Sequence, residues 1–263
     1  MTTATPGRRD FLALLTLGVA ATLAGCSTAS GTAAGTGSGA GSASTKSFPP
    51  PVPGPVHSVS KVPGHTRNIV LTVDDGADPA TLAAYVELAR TTGLRLTFDP
   101  NGMRAASWEP QAKTLRPLIE AGQVQIANHT FHHRSLIGLS EADARAELER
   151  NEDWIQRTFA TSSRPYFRPP NGATDHASNA ICGALGYTKV LQWNGSFEDS
   201  QLVTEAALLA SATRSLQPAA LIVGHANAPT VTHLYPQILE LIKARDLHPV
   251  TLDEAFGTSR RTG

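Results

Sequence analysis

The 263-residue sequence has only two cysteines, Cys26 and Cys182, so it lacks the disulfide framework that staples small secreted scaffolds. An excess of charge of either sign is missing as well: 22 Lys and Arg balance 22 Asp and Glu, for a formal net charge of zero. No stretch gathers basic residues into a stripe, which argues against nucleic acid as a partner. Long hydrophobic runs are absent too. The apolar stretch near the N-terminus, Phe11 to Ala24, is uncharged but only 14 residues long, whereas a helix needs about 20 to span a bilayer. Cys182 sits in an Ala/Ile/Leu-rich segment and reads as a small buried apolar residue.

What the N-terminus does contain is a pattern of export. Arg8 and Arg9 precede the short apolar run, the arrangement of a secretory signal over residues 1–25. Arg8-Arg9-Asp10-Phe11-Leu12 resembles a twin-arginine export motif, and Leu23-Ala24-Gly25-Cys26 resembles a lipobox. A lipidated Cys26 would anchor the protein to the outer face of the cell membrane rather than span it. A plain cleavable signal is the alternative. Residues 27–47 are almost entirely Ser, Thr, Gly and Ala, and residues 48–55 read FPPPVPGP. Such chain buries too little apolar surface to offset its entropy, so residues 26–65 are expected to be a flexible tether with a stiffer proline end.

From residue 66 the sequence becomes periodic. Asn68 to Val73 is a β-branched apolar run, and Asp78-Pro79 is an N-cap with proline at the first helical position. Leu82, Tyr85, Val86 and Ala89 share one helical face that Gly93 can close. Strand candidates follow at 94–98, 123–127, 166–167, 188–193, 219–224 and 249–252. Helix candidates lie between them at 109–121 (with a kink at Pro117), 140–159, 175–186, 203–214 and 231–244. This alternation argues an α/β fold, a parallel sheet covered by helices that is either open or closed into a barrel. A distorted (β/α) barrel of parallel strands with outer helices is expected over 66–257, with a disordered tail at 258–263. Chemistry in such folds collects at the C-terminal ends of the strands.

Four polar clusters sit just after predicted strands. Asp74-Asp75-Gly76 follows the first, and taken alone it also fits a turn. His129 and His133 stand at i and i+4, a spacing that can converge on one metal from a helical turn, although a run of solvated histidines fits as well. Arg168-Pro169-Pro170-Asn171-Gly172 is a rigid turn behind a cation, and His225 ends the run Leu221 to Gly224. Asp99, beside Pro100-Asn101-Gly102, reads as a turn residue, and His233 as a surface position at a helix start.

The order of these motifs over roughly residues 66–257 resembles the polysaccharide deacetylase family, carbohydrate esterase family 4, also called the NodB-homology domain. Thr72 to Gly76 looks like its first motif, His129 to His133 its His-Ser/Thr-x-x-His motif, Arg168 to Gly172 its Arg-x-Pro motif and Val223-Gly224-His225 its Leu-x-His. The resemblance implies metal ligation by Asp75, His129 and His133, with His132 at a variable position. It implies Asp74 as general base, held ionised by Arg168, and His225 as general acid. Zinc is the ion such a ligand set suits best, with other first-row dications possible.

One motif departs from the pattern. The segment Trp193 to Ser200 replaces an Asp-x-x-Asp-Trp and leaves Asp199, rather than Glu198, as the candidate to orient His225. Pro170, Asn171 and Trp193 are candidate substrate contacts, Asn171 through its backbone N–H. Trp108 and Phe197 read as core aromatics by default. The implied activity is removal of N-acetyl groups from cell-wall glycan. O-deacetylation of a xylan-type polymer and a glycan-binding lipoprotein with a degenerate site are the alternatives.

Overall fold

The computed structural model describes residues 47–257. The signal segment, Cys26, the tether as far as residue 46 and the 258–263 tail lie outside the described residues. In chain order the elements are β1 (His57–Val59), β2 (Asn68–Asp75), α1 (Pro79–Thr92), β3 (Leu96–Pro100), α2 (Ala105–Trp108), α3 (Ala112–Glu120), β4 (Val124–Ile126) and α4 (Glu141–Phe159). Then come β5 (Tyr166–Phe167), α5 (His176–Ala184), β6 (Lys189–Leu191), β7 (Gly195–Ser196), α6 (Glu205–Ser215), β8 (Leu221–His225), α7 (Tyr235–Ala244), β9 (His248–Pro249) and α8 (Leu252–Phe256).

The fold is α/β with parallel strands. One sheet runs β4-β3-β2-β8-β7, with β9 against the start of β2, and a second runs β1-β6-β5. Every ladder between these strands is parallel. Isolated bridges, Asn128 with Phe167 and Lys61 with Ala220, join the two sheets. Where the two sheets meet, single bridges stand in place of ladders.

Period-two alternation along β2 explains both the core and the site. Ile69, Leu71 and Val73 face the helix layer, where they pack with Leu82, Tyr85, Val86 and Ala89 of α1. Burying each Val, Leu or Ile among these contributes about 1.5–3 kcal/mol. The intervening residues face inward, and they change character along the strand. Val70 packs with Tyr166, Leu191, Leu221 and Leu252 toward the N-terminal end, whereas Thr72 and Asp74 are buried polar residues nearer the C-terminal end. An apolar floor therefore supports a polar upper layer. Cys182 packs in a separate small core, and burial pushes its thiol up to about 12.

Helix punctuation follows local chemistry. Asp78 caps α1 by accepting from the amides of Ala80 and Thr81, and Gly93 closes it at φ 73. Residues 109–121, expected as one helix, begin instead with a 3-10 turn at Glu109–Gln111 and become α-helical only at Ala112, with Pro117 inside.

Part of the segment expected as tether belongs to the folded domain instead. β1 forms a parallel ladder with β6, Gly54 N–H donates to the Gly183 carbonyl at 3.1 Å, and Val62 is buried. Backbone pairing with β6 supplies the stabilisation that the Pro/Gly-rich composition by itself lacks. Because β1 runs parallel to β6, the chain joins the domain at the N-terminal edge of the strands.

Candidate metal centre and active site

Asp75 ends β2 in a left-handed conformation, φ 72, which an L-residue adopts only when its surroundings hold it. Here the Trp108 indole N–H donates to the Asp75 carbonyl at 2.8 Å. Gly76 follows at φ 91, and a Cβ there would collide with Trp108 Nε1, so glycine is required for the indole to reach.

His129 and His133 come to the same point by a route other than the expected helical turn. The segment after β4 is irregular, with Thr130 at φ 61 and His133 at φ 55. Buried asparagines shape it. Asn101 Nδ2 donates to the carbonyls of His129 and Thr130, Asn128 Oδ1 accepts from the Thr130 amide, and Asn151 Nδ2 donates to Asn128 Oδ1. These side-chain bonds replace the backbone bonds that a helix would supply.

The Nε2 atoms of His129 and His133 each lie 3.4 Å from Asp75 Oδ1. One ligand atom from each of the three residues falls within 4.8 Å of the others. Ligands bound at about 2.0–2.1 Å around a tetrahedral centre stand about 3.3 Å apart, so this donor set fits a small divalent metal. His129 is also aimed correctly: its Nδ1 pairs with the Arg168 carbonyl at 2.7 Å, which leaves Nε2 free to ligate. Burial alone would raise the Asp75 pKa, but the hydrogen bond and charge of His129, the Asn227 amide and His133 together hold it well below the usual carboxylate range. Burial and the neighbouring His129 lower His133, which favours the neutral ligand form.

Asp74 faces the interior next to this cluster, with its Oδ2 3.7 Å from His129 Nε2. Arg168, fully buried, places NH1 3.6 Å from Asp74 Oδ2 and donates from NH2 to Thr72 Oγ1 at 2.9 Å. Its NH2 also stands 3.9 Å from Asp99 Oδ2. Asp99 is therefore not a turn residue. It pairs in register with Asp74 across the β2–β3 ladder, fully buried on the inner face. Burial and then the Asp74 charge push its carboxyl well above the usual range, with Arg168 opposing. One guanidinium thus faces two carboxyl groups, and burial biases Asp99 toward the neutral form.

His225 ends β8 beside Asp74, its partner in the β2–β8 ladder. Its Nδ1 pairs with Asp199 Oδ1 at 3.0 Å. Burial opposes protonation, but the Asp199 hydrogen bond and the charges of Asp74, Asp199 and Asp75 outweigh it and raise the imidazole pKa. Glu198 points elsewhere, to Ser211 and Arg214.

Other sequence candidates fall into place around this centre. Pro170 is buried and Asn171, at φ 57, is exposed, in a turn closed by the amides of Gly172 and Ala173. Trp193 is partly buried over this turn, its ring 5.3 Å from the Arg168 guanidinium. Trp108 and Phe197 are core residues. His132 pairs with Glu147 and His233 with Glu205, both away from the cluster. Two residues that the sequence did not single out touch the site directly: Asn227, bonded to Asp75, and Asn101, bonded to the His129 carbonyl.

Residues 61–190 match the family model described as polysaccharide deacetylase. A peptidoglycan-N-acetylglucosamine deacetylase of Bacillus cereus is 27% identical over 137 residues, covering 50% of this chain and 59% of that protein. Among solved structures, the chitin deacetylase of Colletotrichum lindemuthianum superposes with a TM-score of 0.67 at 22% identity, over 78% of this chain and 94% of that one. A carbohydrate esterase family 4 pseudoenzyme from Bacillus anthracis reaches 0.66 at 16% identity, over 76% and 68%. The chain spans 57% to 71% of the length of the first four curated relatives it matches. Residues 61–190 are thus similar to a polysaccharide deacetylase domain.

Proposed function

We propose that the protein is a zinc-dependent deacetylase that removes N-acetyl groups from cell-wall glycan, acting from the outer face of the cell membrane through a lipid on Cys26. The observation that carries the catalytic reading is one arrangement at one sheet end. The buried Asp74–Arg168 pair and the His225–Asp199 pair stand beside the Asp75, His129 and His133 cluster. A base, an acid and a metal set with no shared task would not need to converge.

Asp75 Oδ1 and the Nε2 atoms of His129 and His133 would hold the ion. When bound, it supplies Lewis acidity and a more acidic water. The Asp74 carboxylate takes the proton from the attacking water. Arg168 keeps that carboxylate oriented, because a charge left alone at this depth would be costly. His225 Nε2, free because Nδ1 is engaged by Asp199, delivers a proton to the departing amine nitrogen. The turn at Pro170–Gly172 does not use the Asn171 amide for its closure, so that N–H remains to stabilise the oxyanion. Trp193 offers a ring face to the sugar.

Acetate release is the direct test. Metal-free protein reloaded with zinc or cobalt is incubated with peptidoglycan and with N-acetylglucosamine oligomers, and Asp75→Ala and His129→Ala are expected to abolish release. Faster turnover of acetylated xylan would move the reading to ester substrates. Release from none of these, by a protein that holds its metal, would overturn it in favour of a glycan-binding pseudoenzyme.

A further inference from the structure

Asn227 lies two residues beyond His225, in the loop after β8, and has no part in the roles above. Its Nδ2 donates to Asp75 Oδ2 at 2.7 Å, and its Oδ1 accepts from the Ala77 backbone N–H at 3.2 Å. An amide has one donor end and one acceptor end, so these two bonds decide which way it points. Nδ2 also approaches the Ser200 carbonyl at 3.4 Å.

The consequence falls on Asp75. Its two oxygens have different neighbours: Oδ1 faces both histidine rings at 3.4 Å, while Oδ2 faces Asn227. A carboxylate without such a partner rotates over a broad χ2 range and can offer a metal one oxygen or both. The left-handed backbone and the Trp108 hydrogen bond hold the Asp75 main chain, but neither restrains that rotation.

We infer that Asn227 is a positioning residue that makes Asp75 a one-oxygen ligand, and that metal affinity at this centre depends on it. This rests on the reading that Asp75, His129 and His133 hold a metal. Groups that orient metal ligands from the outer shell typically contribute about 10- to 100-fold in affinity.

The test is zinc titration of metal-free protein against a chromophoric chelator, for the parent, Asn227→Ala, Asn227→Leu and His129→Ala. Both Asn227 variants are expected to bind zinc about 10- to 100-fold more weakly, with the circular dichroism and melting of the metal-free protein unchanged. Cobalt-loaded protein provides a spectroscopic readout. Freeing Oδ2 to join the metal raises the coordination number and weakens the visible d–d bands. Asn227 is half-buried in a loop, so the alanine variant carries the test if the larger leucine disturbs folding. Zinc affinity within twofold of the parent in Asn227→Ala, with binding lost in His129→Ala, would overturn the role of Asn227 alone. Zinc binding that survives His129→Ala would overturn the metal reading, and the inference with it.

Discussion

As the proposed general acid, His225 needs a proton, and its surroundings raise its pKa. Asp199 hydrogen-bonds Nδ1, while Asp74 and Asp75 on β2 add negative charge; burial and the neighbouring His133 work the other way. A raised pKa keeps the acid form populated to higher pH, so the alkaline limb of the kcat profile should lie above that of a free imidazole. Replacing Asp199 by Asn removes the hydrogen-bonding charge, lowers the His225 pKa and should move that limb to lower pH. It should also reduce kcat by about 10²- to 10⁴-fold. An unmoved limb would show that Asp199 does not tune the acid. At this scale the chemistry-bearing side chains were legible in the sequence. Asp74, Asp75, His129, His133, Arg168 and His225 each had another reading alone, and their order behind successive strands, with the family resemblance, joined them. Asp99 was not legible, since Asp-Pro-Asn-Gly has the composition of a turn, and only its register opposite Asp74 places it beside Arg168. Asn227 was equally silent, because nothing local distinguishes an amide that orients a ligand from one in a loop.

Among the elements, β1 shows most clearly how composition can mislead. His57–Val59 is too short to carry a periodic signal, and it follows a proline-rich stretch that reads as linker. Its stabilising partner, β6, begins 132 residues further on, at Lys189 paired with His57. A chain beginning at residue 61 would lose this ladder and expose the β6 edge. Compared by calorimetry with a chain beginning at residue 47, it should melt lower, by about 2–4 °C for each kcal/mol of lost pairing. Equal melting temperatures would return residues 47–60 to the tether. Elements defined by local chemistry were read more accurately. Asp78 and Gly93 bracket α1 as their cap preferences dictate, and Ser140 caps α4 by accepting from the Asp143 amide. The histidine loop falls between these cases. The spacing of His129 and His133 suggested a shared target, but the path between them is set by Asn101, Asn128 and Asn151, which come from three different segments.

For the whole molecule, alternating apolar segments were enough to give parallel strands with covering helices. The division into two bridged sheets was not, because single bridges such as Asn128 with Phe167 leave no pattern in sequence. The proposed anchor is tested at this scale. Cys26→Ser should shift the exported protein from the membrane fraction to the soluble fraction while leaving acetate release from soluble oligomers unchanged. Retention of the variant in the membrane would point to some other attachment. The proposed anchor would also give meaning to where the chain joins the domain. Residues 54–59 meet the strands at their N-terminal edge, whereas Asp75, Arg168 and His225 stand at or just beyond the opposite ends. An attachment entering there would leave the opposite, histidine-bearing face of the domain unobstructed. Under the proposed anchor, the number of residues between Cys26 and that entrance would set how far from the membrane the site can reach.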